Sequence, residues 1–234
     1  DTRGLDYHLS ARRLDLAPAA MAAAPAASAS LRERFTDLPE GVPLGVEQLA
    51  NQITAGQPTR FQKATALQQW FRKGGGFRYD LKTRPGNGTD ALVAFLDERV
   101  GYCEQFASAM AVMARIEDIP ARVVVGFLRP DRIGPGTWEY SSHDLHAWVE
   151  LYFPGSGWVL FAPTPASISG TAPPYTRVAL PGTSGLPSVS GPTNLPSDEL
   201  PDRGSSAPAT SCWRSTARWC CCAGWRSWRP RPTP

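Results

Sequence analysis

Apolar residues recur at two different periods along this chain, and the switch between them falls at Pro120. Upstream, helical spacing dominates. Residues 43–54 read as one helix and 58–71 as a second, with Phe61, Ala64, Gln68 and Phe71 along one side and Pro58 near its first turn. Gly74-Gly75-Gly76 ends that helix, Phe77-Arg78-Tyr79 gives a short extended piece, and Pro85-Gly86-Asn87-Gly88 makes a turn. Thr89 or Asp90 then caps a short helix over 91–97. The longest apolar helix is predicted over Cys103 to Ile116. Phe106, Met110 and Met113 share one of its faces, and Ala107, Ala111 and Ala114 permit close packing beside them.

Downstream the period drops to two. Strands are predicted over 121–128, 145–153 and 158–161, the last two joined by the turn Pro154-Gly155-Ser156-Gly157. In the middle run His146, Trp148 and Glu150 point to one face of a sheet and Ala147, Val149 and Leu151 to the other. At the other end of the chain, Leu5, Tyr7 and Leu9 alternate loosely within 5–14, which suits a strand, and the Ala/Pro-rich stretch 17–29 reads as a connection.

Composition divides the chain further. Its 23 Pro and 21 Gly crowd into the later part, and after Pro165 few large apolar residues occur until about residue 209. Such a stretch cannot bury enough surface to offset its ordering entropy, so it reads as a linker. The organisation expected is an N-terminal strand and connection over 1–34, one folded domain over 35–180, a linker over 181–210 and a non-globular tail over 211–234. The formal charge of +3 includes five Arg and no acid within that tail, leaving the remainder slightly acidic; no basic surface for nucleic acid is implied. No apolar run approaches the length of a membrane span, and prolines break the Ala-rich stretch too often for a signal sequence. As written the chain reads as soluble, and its lack of an initiator Met fits a fragment.

The tail holds four of the eight Trp and four of the five Cys beside regular Arg and Pro. One reading is an interfacial basic and aromatic segment. The reading we favour takes Cys and Trp as TGC and TGG codons of GC-rich DNA read one base out of frame, so that the intended segment is a Leu/Ala-rich membrane span. A coding sequence whose other frames lack an apolar run of about 20 residues removes that hypothesis. Adjacent cysteines without partners make neither a metal-ligand spacing nor a disulfide framework, so cysteine usage leaves the compartment open.

Cys103 is the only cysteine in the first 211 residues and stands where the long helix begins. Unpaired backbone N–H groups and the helix dipole at such a position favour a thiolate and can stabilise an acyl oxyanion. The plain alternative is a small buried hydrophobe. His146 is likewise either a catalytic base or a satisfied histidine among apolar neighbours.

Several ordered blocks decide between these readings: Gly101-Tyr102-Cys103 before a helix, Ile119-Pro120-Ala121-Arg122-Val123-Val124-Val125-Gly126-Phe127, His146-Ala147-Trp148-Val149-Glu150, and Gly157-Trp158-Val159 ahead of Pro163-Thr164-Pro165. Over roughly 35–170 they resemble the transglutaminase-like superfamily, and more narrowly the extracytoplasmic domain of bacterial membrane-anchored transglutaminases. The resemblance implies an α+β, papain-like fold with the nucleophile at a helix N-terminus packed on an antiparallel sheet. It implies Cys103 as nucleophile, His146 as the base, and an oxyanion hole formed by the Cys103 backbone N–H with a contribution from Tyr102.

One member is missing. Where the family carries Asp or Glu before its Pro-Thr-Pro element, this chain reads Phe161-Ala162-Pro163, and a methyl group cannot orient an imidazole. Disabling the orienting acid of a serine-protease triad costs about four orders of magnitude in turnover; a partly self-activating thiolate–imidazolium pair should lose less. Asp144 lies two residues before His146 on the same strand face and is the nearest substitute by sequence, whereas Glu150 is about 13 Å along an extended strand. Asp118 stands where the family commonly turns with glycine, a conformation Asp tolerates. Arg115 and Arg122 read as structural ion-pair partners in preference to substrate contacts.

The expected function is therefore cysteine-dependent acyl transfer on glutamine side chains or peptide amides through a thioester, weakened at Ala162. The alternative is an inactive domain that binds through the same cleft. The partners implied are a protein or peptide substrate and an amine or water acceptor, with no metal or organic cofactor. The resemblance also implies a parent tethered to a bacterial membrane and facing outside the cytoplasm.

Overall fold

The computed structural model describes residues 6, 8, 10, 15–83, 88–128 and 130–181, all within the first of two compact units, residues 1–197. The strand expected over 5–14 falls largely outside these residues. So do most of the 85–88 turn, the linker beyond 181 and the whole tail.

The Ala/Pro-rich stretch is not a plain connection. It carries the helices α1 (Pro18–Ala22) and α2 (Ala29–Phe35). Pro18 sits in the first turn, where its missing N–H costs nothing, and Met21 anchors α1 by full burial in the core. Next come α3 (Leu44–Thr54), which buries Val46, Leu49, Ala50 and Ile53, and α4 (Arg60–Gln69), whose N-cap Thr59 accepts a hydrogen bond from the Gln62 N–H. α4 runs on into a π-turn over Trp70–Gly74. Strand β1 (Arg78–Tyr79), helix α5 (Thr89–Glu98) and strand β2 (Val100–Gly101) follow, with β1 and β2 paired in parallel.

Helix α6 (Cys103–Ile116) spans the predicted residues and is buried along most of its length. It ends because Asp118 takes a left-handed conformation (φ 57°) and the Ile119 N–H bonds back to the Ala114 carbonyl. The Asp118 carboxylate accepts from Arg32 at 2.7 Å and Arg60 at 2.8 Å. Beside it, the buried Glu117 meets Lys63 Nζ and Thr54 Oγ1, each at 2.6 Å.

The antiparallel sheet consists of β3 (Ala121–Phe127), then, after an exposed hairpin of β4 (Asp131–Gly134) and β5 (Thr137–Glu139), β6 (Leu145–Phe153) and β7 (Gly157–Phe161), in the order β3-β6-β7. α6 packs along β6 and β3. Ala147, Val149, Leu151, Phe153, Val159 and Phe161 form the buried face. A one-turn helix, α7 (Ala166–Ser169), follows the sheet. No helix among the described residues is long and apolar enough to cross a membrane.

Candidate active site

The start of α6 is held by a side chain one turn in. The Gln105 carbonyl oxygen accepts from the Tyr102 backbone N–H at 3.2 Å and from Thr83 Oγ1 at 3.3 Å. Residue 101 must be glycine for this to happen, because a Cβ there would lie 2.5 Å from Gln105 Oε1 and 2.7 Å from the Phe95 ring. Under this turn Phe71, Phe77, Phe95 and Phe106 pack ring against ring, so the first turn of α6 rests on a rigid apolar floor. Cys103, a free half-buried thiol, is its first residue.

The group that meets Cys103 is Tyr79. Pairing of β1 with β2 sets Tyr79 opposite Gly101, two residues ahead of the thiol. Burial pushes the Tyr79 phenol above its ordinary pKa, and the hydrogen-bonded Cys103 sulfur adds to the rise; a hydrogen bond to the Cys103 backbone works the other way. Sequence pattern alone passed over Tyr79, since a non-local strand pairing makes the contact. Tyr102, the residue expected beside the oxyanion, is the N-cap with its N–H already engaged by Gln105. Its phenol is also raised, by burial first and then by Glu104 and Cys103.

His146 is buried near the start of β6, opposite Gly126 of β3. The indole of Trp148 lies so close over Gly126 that a Cβ there would come within 2.6 Å of it. The β6–β7 ladder ends at the Val149–Phe161 pair, so Ala162 follows directly on the last paired residue of β7. His146, Trp148 and Ala162 all line one open cavity of about 230 Å³, with Ser169 and Arg177 of the following segment also on its wall. His146 and Ala162 thus border the same space.

The backbone at 162 is pinned on both sides. Its N–H donates to Gln68 Oε1 at 2.9 Å, and its carbonyl accepts from Arg72 Nη1 at 2.8 Å. Arg72 stands in the π-turn and also donates to the Thr164 carbonyl, Ser169 Oγ and the Gly170 carbonyl. Burial lowers its pKa, and its ring of neutral oxygens binds the whole segment after β7 to α4.

Neither nearby acid stands in for residue 162. Asp144 accepts from the Ser141 N–H at 2.6 Å and Ser141 Oγ at 3.0 Å, capping an exposed turn. Glu150 accepts from Arg122 Nε at 2.8 Å and Nη2 at 2.6 Å, and that guanidinium stacks on Trp158. Arg115 donates to the carbonyls of Ala121 and Asp37. Among the described residues no group of three or more His, Cys, Asp or Glu could hold a metal ion.

A family model described as the transglutaminase-like superfamily matches residues 47–163. An uncharacterized protein of Bacillus subtilis, YebA, is 36% identical over 140 residues, 56% of this chain. A protein-glutamine gamma-glutamyltransferase of Pseudomonas aeruginosa is 41% identical over 90 residues, 38% of this chain. The chain spans 19% and 13% of the lengths of these two relatives. Among solved structures, the periplasmic domain of TgpA from Pseudomonas aeruginosa superposes with a TM-score of 0.52 at 32% identity, covering 58% of this chain and 48% of that one.

Proposed function

The chain belongs to the transglutaminase-like superfamily, and on that footing we propose that it catalyses cysteine-dependent acyl transfer on glutamine side chains or peptide amides. The observation that carries this is the placement of Cys103 at the N-terminus of the central helix, with His146 on β6 and position 162 just past β7 lining one cavity. The glutamyltransferase among its relatives supports glutamine as the acyl donor.

In this reading His146 takes the thiol proton and the Cys103 sulfur attacks the amide carbonyl carbon. The tetrahedral oxyanion draws on the Cys103 N–H and the Tyr79 phenol, which already meet at that point. Collapse breaks the C–N bond, ammonia leaves with the proton carried by His146, and a thioester remains. An amine or water then attacks the thioester, delivers its proton to His146 and regenerates the thiol. Ala162 leaves the imidazolium without its usual counter-charge, so turnover is slow. We place the domain on the extracytoplasmic side of a bacterial membrane in a longer parent, as the periplasmic origin of the TgpA domain supports.

A second reading, a binding domain without turnover, is favoured by the methyl group at 162. Amine incorporation and ammonia release on a glutamine-rich protein separate the two. Acyl transfer predicts activity that Ala162→Asp raises and Cys103→Ala abolishes; a folded Ala162→Asp protein with no turnover would sink it and leave the binding role.

A further inference from the structure

β3 is an edge strand, and only half of its backbone is used by the sheet. The Leu128 N–H bonds to the Asp144 carbonyl and the Tyr152 N–H to the Pro120 carbonyl, so the even-numbered residues of β3 are the ones that exchange hydrogen bonds with β6. The odd-numbered ones point theirs outward. Ala121 fits this phase, because its carbonyl accepts from Arg115 Nε and Nη2 and not from β6. The outward backbone groups of Val123, Val125 and Phe127 have no partner among the described residues, and all three side chains are exposed. Natural edges are normally covered, charged or interrupted. Arg115 closes this one at Ala121 and leaves the rest open.

The open run leads to the candidate active site. α6 and β3 are joined by a tight turn, so they run antiparallel along each other. At about 1.5 Å per helical residue and about 3.3 Å per strand residue their lengths match, which brings the start of α6, with Cys103, level with the Phe127 end of β3. Gly126, next to Phe127, is the residue paired with His146.

We propose that the outer edge of β3 binds the acyl donor's polypeptide as an added strand: an extended, glutamine-bearing segment with apolar residues at alternate positions. The inference rests on the acyl-transfer reading and narrows its substrate to extended protein segments. The backbone of Val123, Val125 and Phe127 supplies the hydrogen bonds, and their side chains supply the apolar contacts. The glutamine itself lies past Phe127, toward the thiol. A second copy of the chain suits this edge less well. Residues 123–127 span about 16 Å, too short a strip to bury the roughly 1,200 Å² of a stable protein pair.

The test uses the full chain carrying Cys103→Ala, which can hold a peptide without turning it over. The probe is the N-acetylated, C-amidated peptide Lys-Val-Thr-Val-Gln-Val-Thr-Val-Lys, with an N-methyl group placed on each Val and Thr in turn. We expect the peptide to slow amide hydrogen exchange at Val123, Val125 and Phe127. On one side of the glutamine, N-methylation should weaken binding at every second residue, by roughly fivefold for each hydrogen bond lost, and spare the residues between. Val125→Pro removes an outward N–H without breaking the ladder, as edge positions tolerate, and should weaken binding to a similar degree; Val125→Ile should not. No binding, a uniform response to N-methylation, or protection confined to other residues overturns the inference. So does protection of the same amides by raised protein concentration alone, which makes the edge a self-pairing surface. The acyl-transfer reading fails separately: Ala162→Asp leaves the peptide's glutamine intact while the peptide still binds, and β3 then stands as a peptide-binding edge alone.

Discussion

The guanidinium of Arg72 donates to the carbonyl oxygen of Ala162 at 2.8 Å, tying a π-turn at the end of one helix to the residue that follows the last strand of the sheet. Three further oxygens from residues 164–170 share the same side chain. Arg72→Met should destabilise the domain by about 2–4 kcal/mol in denaturant unfolding, because several charge-assisted bonds are lost together and their carbonyls stay half-buried. Arg72→Lys should recover only part of this, since an ammonium cannot span the fork.

Tyr79→Phe removes the hydroxyl that touches Cys103 while keeping the ring. A hydrogen bond of about 1 kcal/mol corresponds to roughly a fivefold effect. Alkylation of Cys103 by iodoacetamide at pH 7 should slow by about that factor with little change in melting temperature. An unchanged alkylation rate would remove Tyr79 from the site.

Gly101→Ala tests the turn into the nucleophile helix. The added methyl collides with the amide end of Gln105, a flexible side chain that must swing away, and with the buried Phe95 ring. A loss of about 1–3 kcal/mol is expected from such overpacking. Cys103 reactivity should change as well, because the Gln105 clamp on Tyr102 must open.

Lys63→Met strands Glu117, whose side chain is only 3% exposed. Removing one partner of a buried pair is costly, about 3–5 kcal/mol in the general case. Lys63 itself is a third exposed and Thr54 Oγ1 continues to donate, so about 2–3 kcal/mol is expected by chemical denaturation. The double variant Lys63→Met/Glu117→Leu should regain most of it.

Asp118 gives the stability a pH dependence. Burial alone would raise its pKa, but hydrogen bonds and charge from Arg60 and Arg32 outweigh burial and hold the carboxyl below its ordinary value. A lowered folded-state pKa contributes stability that is fully present above the ordinary Asp range, near pH 4, and is lost as pH falls through the folded value. Asp118→Asn should therefore be less stable than the original chain at pH 6, with the gap closing below about pH 4. The ion pairs are partly exposed, so salt should narrow it too.

The α+β architecture of the superfamily was legible where patterns were long and self-consistent. The helix from Cys103 to Ile116 announces itself by an unbroken apolar face and the stop at Pro120, and the three strands by their alternation. α1 was hidden because five residues rich in alanine carry one anchoring side chain, Met21, and no periodicity. The β4–β5 hairpin is exposed along much of its length and has no core face to betray it. At the site, Cys103, His146 and Ala162 were readable as local motifs. Tyr79 and Arg72 were not, since their roles come from a parallel strand pairing and a π-turn, each linking segments far apart in the chain.

The methyl group on the cavity wall also bears on how this domain can change over generations. Every alanine triplet lies a single base change from one for aspartate or glutamate. The acid can therefore be lost or regained in one mutational step. Its surroundings cannot: the glycine under Trp148, the amide of Gln68 and the fork of Arg72 are separate positions whose loss would need several independent reversions. What persists around Ala162 is the part that is hard to evolve again, and what is absent is the part that one substitution returns.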